Sequence, residues 1–222
     1  MKDKSGRSIN YLRISVTDKC NFRCRYCMPD PVPDVEHEEI LRYEEILRIC
    51  EAAVRLGIRK FKITGGEPLV RKGCVDFMRR LKETDGVETV TLTTNGMFVK
   101  EHIEEFKHMG LDGINISLDT LDRKQFRRLT GTDGADAVVE AVYACASAGL
   151  KTKVNSVLLS ETKSQILRLA HLAQEMPVDV RFIEVMPIGF GRFEKGPTED
   201  AVLQILQAEY PDLAYRRDVR GN

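Results

Sequence analysis

Three cysteines stand close together near the start of the chain, and they are the residues best suited to chemistry. Cys20, Cys24 and Cys27 lie within SVTDKCNFRCRYCMPD, residues 15–30, with the spacing C-x3-C-x2-C. Thiolates are soft ligands that bind zinc ions and iron–sulfur clusters. Three thiolates on one loop indicate a metal site, and three rather than four indicate that one coordination position is kept for something else.

Two kinds of metal centre are compatible with this spacing. Structural zinc takes four ligands, usually from paired C-x2-C motifs. Only Asp30 or His37 could supply a nearby fourth ligand. A four-iron cluster with three cysteine ligands would leave one iron open to a cofactor or substrate. The spacing favours the cluster, and zinc is the alternative.

The composition of the 222-residue chain narrows the classes of function. Basic and acidic residues number 34 each, so no net field favours nucleic acid or an anionic membrane. The N-terminus lacks the apolar run of a signal peptide, and no segment is apolar for long enough to span a bilayer. Cys50, Cys74 and Cys145 are scattered through helical segments, which is typical of small buried side chains and not of disulfides. We expect a cytoplasmic protein with neither nucleic acid nor membrane as a partner.

Short β-branched segments alternate along the chain with amphipathic segments. The strand-like segments are 12–16, 60–64, 88–94, 113–118, 150–159 and 178–186. The helix-like segments are 44–56, 71–84, 100–109, 134–148, 162–175 and 198–209. Strand and helix in repeated alternation predict parallel strands joined by right-handed crossovers. No linker divides the chain, so we expect one domain over residues 1–222.

Most of the predicted strands have one polar face. In KFKIT, residues 60–64, the lysines and the threonine share one face, because side chains alternate along a strand. A central strand between two helix layers should instead be apolar on both faces. Similar polar positions in the other strands are Arg13, Ser15, Thr91, Thr93, Asn115, Ser117, Lys151, Lys153, Asn155 and Arg181. This pattern predicts an α/β fold, a partial (β/α)6 TIM-like barrel with a cationic lumen.

The cysteine loop follows the first predicted strand, at the edge where parallel α/β folds hold their active sites. Tyr26 stands directly before the last cysteine, and ITGGEP, residues 63–68, ends the second strand. Glycines at a strand end let the backbone approach a ligand closely. Together these motifs resemble those of the radical S-adenosylmethionine (SAM) enzymes, whose core is a six-stranded open barrel. The order of LRISVTDKCNFRCRYCMP, ITGGEPLVRKG, LTTNG, INISLD, KVN and RFIEVMPIG is similar to that in the GTP 3′,8-cyclase family, over essentially the whole chain.

The resemblance implies a [4Fe–4S] cluster held by Cys20, Cys24 and Cys27, with SAM bound to the fourth iron. One electron from the cluster would cleave SAM to methionine and a 5′-deoxyadenosyl radical. The residues implied at SAM are Tyr26 beside the adenine, Gly66 at the amino group, Ser117 near the methionine end and Met186 against the adenosine.

The resemblance also implies that GTP is rearranged to (8S)-3′,8-cyclo-7,8-dihydroguanosine 5′-triphosphate, the first step of molybdenum cofactor biosynthesis. An electron donor would be a further partner, and a homodimer is a possible assembly. A triphosphate requires several converging cations. The positions that match GTP contacts in the family are Arg13, Lys62, Thr93 and Lys153, with Lys60 and Arg181 close to the triphosphate.

Two features depart from the cyclase pattern. Lys62 stands where we expect arginine in the family, which exchanges a bidentate fork for a point charge. The family's second three-cysteine cluster, which binds the guanine base, has no counterpart after Cys145. We therefore expect a truncated form that lacks this C-terminal cluster segment. The alternatives are another radical SAM enzyme with a different anionic substrate, and a non-catalytic metal-binding module.

Overall fold

Six parallel strands form one sheet in the computed structural model, which describes residues 4, 6–27, 39–187, 189–214 and 216. The strands are β1 (Tyr11–Ser15), β2 (Lys60–Thr64), β3 (Thr89–Thr94), β4 (Gly113–Ser117), β5 (Thr152–Leu158) and β6 (Val178–Glu184). They lie in chain order, with β1 and β6 at the two edges. A doubly wound sheet reverses its strand order at a switch point, whereas a barrel adds every strand on the same side. The order is therefore that of an open barrel.

In the described part of the chain, six helices connect the successive strands, with two of them between β4 and β5, and a seventh follows β6. They are α1 (Tyr43–Arg55), α2 (Cys74–Lys82), α3 (Ile103–His108), α4 (Arg123–Thr130), α5 (Ala135–Ser147), α6 (Ile166–Glu175) and α7 (Glu199–Glu209). The predicted strands are all confirmed with small shifts at their ends, and the predicted helices likewise, whereas α4 was not predicted. Within the described ranges, no helix combines the length and the apolar character needed to cross a membrane.

The apolar faces of the strands build the core together with the helices. Phe61 and Ile63 of β2 are completely buried, as are Val90 and Leu92 of β3. Each such side chain contributes about 1.5–3 kcal/mol on burial. The cysteines of α1, α2 and α5 belong to the same cluster of buried residues, which confirms them as core side chains: Cys50, Cys74 and Cys145.

The opposite faces of the strands carry polar side chains in level rows. Because paired residues of parallel strands share a height, polar positions that alternate in each strand become rows across the sheet. The rows, in order toward the carboxyl ends of the strands, are Arg13–Lys62–Thr91, Thr93–Asn115–Lys153–Asp179 and Ser117–Asn155–Arg181.

The sheet curves strongly enough to bring its two edges toward each other. Burial lowers the pKa of Lys62 on β2, and the charges of Arg181 on β6, Arg13 on β1 and Lys153 on β5 lower it further. In a flat sheet, β6 would lie four strands from β2, about 19 Å away at roughly 4.8 Å per strand. Curvature therefore encloses a lumen, and the polar rows line it.

Helix α4, with the sequence RKQFRRLT, is short and has only two apolar residues, which are spaced so that they lie on one face. It begins after Asp122, whose side chain accepts a hydrogen bond of 2.7 Å from the backbone N–H of Gln125. It ends at Gly131, whose φ of 73° lies in the left-handed region that glycine adopts readily. Its apolar residues, Phe126 and Leu129, are buried. The two caps and this single buried stripe define the helix.

Candidate active site

The cysteine loop packs against α4. The backbone N–H of Arg23 donates to the carbonyl of Thr130 at 2.7 Å, and that of Arg25 donates to the carbonyl of Leu129 at 3.2 Å. Phe22 is buried and meets Phe126 edge to face, with ring centroids 5.6 Å apart. The loop thus follows β1 and is held by the C-terminal turn of α4.

The glycine segment after β2 supports the loop from the other side. The backbone N–H of Gly66 donates to the carbonyl of Thr17 at 2.6 Å, and that of Glu67 donates to the carbonyl of Lys19 at 2.8 Å. A Cβ atom at Gly66 would lie only 2.4 Å from the carbonyl oxygen of Lys19. The sequence suggested that glycine lets a ligand approach the backbone here. The structure shows a different need, because any side chain at Gly66 would collide with the backbone of the cysteine loop.

The three thiols line one cavity of about 600 Å³ at the carboxyl ends of the strands, termed here the upper cavity. Burial raises the pKa of Cys20, Cys24 and Cys27, and the charge of Asp119 raises it further for Cys24 and Cys27. Cysteine binds metal as the thiolate. The loop therefore favours neutral thiols until a positively charged centre binds and displaces their protons.

The spacing of the thiols bears on the kind of metal. Among the described residues, no three histidine, cysteine, aspartate or glutamate side chains are close enough to hold one metal ion. A four-iron cluster takes each thiolate on a different iron, so its ligands stand farther apart than those of one zinc ion. Three thiols that line one cavity suit a four-iron cluster, in which each thiolate binds a different iron. Asp30 and His37, the candidate fourth zinc ligands, lie outside the described residues.

A buried carboxylate, Asp119, fixes the ring of Tyr26. It accepts hydrogen bonds from the Tyr26 hydroxyl at 2.6 Å and from the backbone N–H of Val157 at 2.7 Å. Burial raises the pKa of Asp119 to about 6. Sequence analysis did not single out Asp119, although its place at the end of INISLD, directly after a strand, was a signal.

The residues expected at SAM lie around the upper cavity with the cysteines. Tyr26, Gly66, Ser117 and Met186 all contribute to its lining. The Met186 side chain is largely exposed, at 62% of its full accessibility. Its place at the cavity is compatible with a contact to the adenosine through its backbone.

The residues expected at GTP divide between two cavities. Arg13 and Thr93 line the upper cavity. A second cavity of about 310 Å³, termed here the lower cavity, reaches toward the amino ends of the strands. Its lining includes the other expected cations: Lys60, Lys62, Lys153 and Arg181. Arg13 and Lys62 are paired on the neighbouring strands β1 and β2, so the two cavities adjoin.

Two carboxylates of the described residues also line the lower cavity: Asp112, which is paired with Lys82, and Asp179, which faces the cations of the lumen. The Lys153 ammonium lies 2.8 Å from a carboxylate oxygen of Asp179, one strand away. This hydrogen bond lowers the pKa of Asp179, and the charges of Lys153, Arg181 and Lys151 lower it further. The lower cavity therefore has more positive than negative charge and is suited to an anionic ligand.

The fold and the site together define a class of protein: an open α/β barrel whose first loop presents three thiols to a metal cluster. The family model of the Radical SAM superfamily matches residues 14–173. The whole chain is 42% identical to the GTP 3′,8-cyclase of Clostridium perfringens strain 13 and spans 69% of that relative. It is 47% identical to the GTP 3′,8-cyclase of Heliobacterium modesticaldum, over 86% of the chain and 59% of the relative. The chain belongs to the radical SAM superfamily and, within it, to the GTP 3′,8-cyclase family, so it is an enzyme of a family that uses SAM and a [4Fe–4S] cluster.

Solved structures confirm the fold. SuiB of Streptococcus suis, in a structure with bound SAM, matches 91% of this chain and 47% of its own with a TM-score of 0.74 and 22% identity. HydG, a maturase of the [FeFe]-hydrogenase, matches 90% of this chain and 49% of its own with a TM-score of 0.65 and 15% identity. At such low identities, these neighbours support the partial barrel and not a particular reaction.

Proposed function

We propose that this chain is the barrel portion of a GTP 3′,8-cyclase that binds the cluster and SAM in the upper cavity and the triphosphate of GTP in the lower cavity. The observation that carries the proposal is the convergence of cations beneath the cysteine loop. The edge strands β1 and β6 contribute Arg13 and Arg181, and β2 contributes Lys62. The charges of Arg13 and Arg181 both act on Lys62.

The upper cavity would hold the reactive centre. Cys20, Cys24 and Cys27 would hold a [4Fe–4S] cluster, which when bound would supply the electron for cleavage of SAM. The chain's own residues bind and orient: Tyr26 would lie beside the adenine, with its hydroxyl already held at 2.6 Å by Asp119.

The lower cavity would orient the substrate through its phosphates. Burial lowers the pKa of Lys62, and repulsion by Arg181, Arg13 and Lys153 lowers it further. A triphosphate reverses the effect, because each ammonium or guanidinium gains a charge-assisted hydrogen bond. Lys62 binds as a point charge, whereas an arginine would form a planar fork, so phosphate geometry is less strictly fixed at this position.

Recognition of the guanine base would depend on groups other than the cysteines of this chain. All six cysteines lie within the described residues, three on the loop and three in the core. A second cluster would therefore need ligands that these residues do not supply. An external electron donor would provide the electron for each cleavage of SAM.

The proposal can be tested with protein reconstituted anaerobically with iron and sulfide. Reduction with dithionite in the presence of SAM should release 5′-deoxyadenosine, and GTP should bind more tightly than guanosine. Because phosphate contacts dominate, the advantage of GTP should fall as salt concentration rises. Electron paramagnetic resonance with and without SAM should show a change in the cluster signal.

Each outcome distinguishes the proposal from its alternatives. SAM cleavage with equal affinities for GTP and guanosine would point to another radical SAM enzyme with a different substrate. Stoichiometric zinc without a SAM-dependent signal would point to a non-catalytic metal-binding module. Formation of the cyclised nucleotide would support the cyclase directly.

A further inference from the structure

The sulfur of Cys20 is met by two N–H groups from different parts of the chain. The backbone N–H of Phe22 lies 3.3 Å from it within the same loop. The side-chain Nδ2 of Asn95 lies 3.9 Å from it and comes from the turn that follows β3. Contacts of this kind occur around cluster thiolates, where donors to sulfur influence the reduction potential.

The orientation of the Asn95 carboxamide is determined by its other partners. Its Oδ1 accepts a hydrogen bond from the backbone N–H of Met97 at 3.1 Å, a role that only the oxygen can fill. Its Nδ2 donates to Oδ1 of Asn21 at 2.7 Å, beside Cys20. The nitrogen therefore faces the cysteine loop, and the oxygen faces away from it.

Asn95 is itself held by a fully buried carboxylate. Glu67 is 0% exposed, and its Oε2 accepts the backbone N–H of Asn95 at 2.6 Å. Its Oε1 accepts the hydroxyl of Thr94 at 2.8 Å and the backbone N–H of Leu69 at 3.0 Å. The ends of β2 and β3 are thereby joined, and Asn95 has little freedom to turn away from the loop.

We propose that Asn95 is a positioning residue for the cluster. Its side chain holds Asn21 and Cys20 in place, and its hydrogen bond to the Cys20 sulfur raises the reduction potential of the cluster. The physical reason is that reduction adds negative charge to the cluster and its thiolates. An N–H group directed at sulfur stabilises the reduced state more than the oxidised state. This inference rests on the cluster of the superfamily and does not require GTP to be the substrate.

The test is a potentiometric titration of the reconstituted cluster, followed by electron paramagnetic resonance without SAM or GTP. Asn95→Ala should make reduction about threefold to tenfold less favourable, a negative shift of roughly 30–59 mV for one electron. Asn95→Asp keeps the acceptor for Met97 and places a negative oxygen at the sulfur, so its shift should be larger and in the same direction. Thr132→Ala is the matched control, because Thr132 also holds the loop, through a 3.3 Å bond to the Asn21 carbonyl, without contacting sulfur.

The outcomes distinguish an effect of Asn95 on the reduction potential of the cluster from simple support of the loop. A potential in Asn95→Ala equal to that of the wild type and Thr132→Ala would overturn the proposal. So would a positive shift in Asn95→Asp. If both Asn95 variants fold by circular dichroism but bind no iron while Thr132→Ala does, the positioning role is supported. Because no nucleotide is present, a failure of the GTP proposal leaves each of these readings unchanged.

Discussion

Replacing Lys62 with methionine should change nucleotide affinity and protein stability in opposite directions. Methionine has a similar length and no charge, so Lys62→Met removes the cation and keeps most of the packing. In the ligand-free barrel, Lys62 is partly buried among Arg13, Lys153 and Arg181, and its pKa is lowered. Removal of the charge relieves that repulsion, so the free energy of unfolding should rise.

The effect on GTP binding should be larger and opposite. A hydrogen bond to a charged group contributes about 1.5–3 kcal/mol. At about 1.4 kcal/mol for each factor of ten, its loss weakens affinity by roughly 10- to 150-fold. The position of Lys62 between Arg13 and Thr91 in one polar row argues for the middle of this range, because neighbouring cations continue to hold the phosphates.

Isothermal titration calorimetry on cluster-loaded protein measures the affinity, and urea unfolding of the apo-protein measures the stability. Lys100→Met is the matched control, since Lys100 is an exposed lysine paired with Glu140 at 2.7 Å, outside both cavities. It changes the net charge equally and should leave GTP affinity unchanged. A Lys62→Met protein that binds GTP within twofold of the wild type would refute the assignment of the lower cavity to the triphosphate.

Three further predictions concern charges and thiols described above. Asp179→Asn should strengthen GTP binding by up to roughly fivefold in the same calorimetric assay, because it frees Lys153 from an exposed ion pair that contributes about 0–1 kcal/mol; weaker binding would contradict it. Glu67→Gln should lower the free energy of unfolding of the apo-protein by about 1–3 kcal/mol in urea, because an amide nitrogen cannot accept the bonds that the buried carboxylate accepts. A loss smaller than the error of the assay would argue against that network. Cys24→Ala should abolish iron binding while circular dichroism stays like that of the wild type, since two thiolates are too few for the cluster; full iron content would remove Cys24 from the ligand set.

The fold could be predicted largely because its signals are local. The alternation of KFKIT determines which side of β2 enters the core, and Phe61 and Ile63 are indeed completely buried. The polar strand faces predicted a lumen. The electrostatic interaction between Lys62 on β2 and Arg181 on β6 indicates that these faces surround it. Helix α4 was not predicted, because only Phe126 and Leu129 provide apolar periodicity and its other residues are polar or charged.

The supporting residues of the site could not be predicted, because their partners are distant in sequence. Tyr26 and Asp119 are 93 residues apart, and Asn21 and Asn95 are 74 residues apart. Each pair forms where the ends of different strands meet, which no local pattern specifies. The motifs located the cysteine loop and the glycine segment, whereas the bonds between them required the curved sheet. The ligand roles of the individual site residues stay predictions.

The hydrogen bonds that join the cysteine loop to its neighbours have a consequence for maintenance of the enzyme. Arg23 and Arg25 are bonded to the end of α4, and Lys19 to the glycine segment, through backbone hydrogen bonds. The loop is therefore ordered when the barrel folds, and metal binding does not have to supply the free energy for ordering it. A small zinc domain unfolds without its ion, but this barrel should survive oxidative loss of iron as a folded apo-protein. Damage to the cluster would then be repaired by reloading the existing chain, without synthesis of a new one.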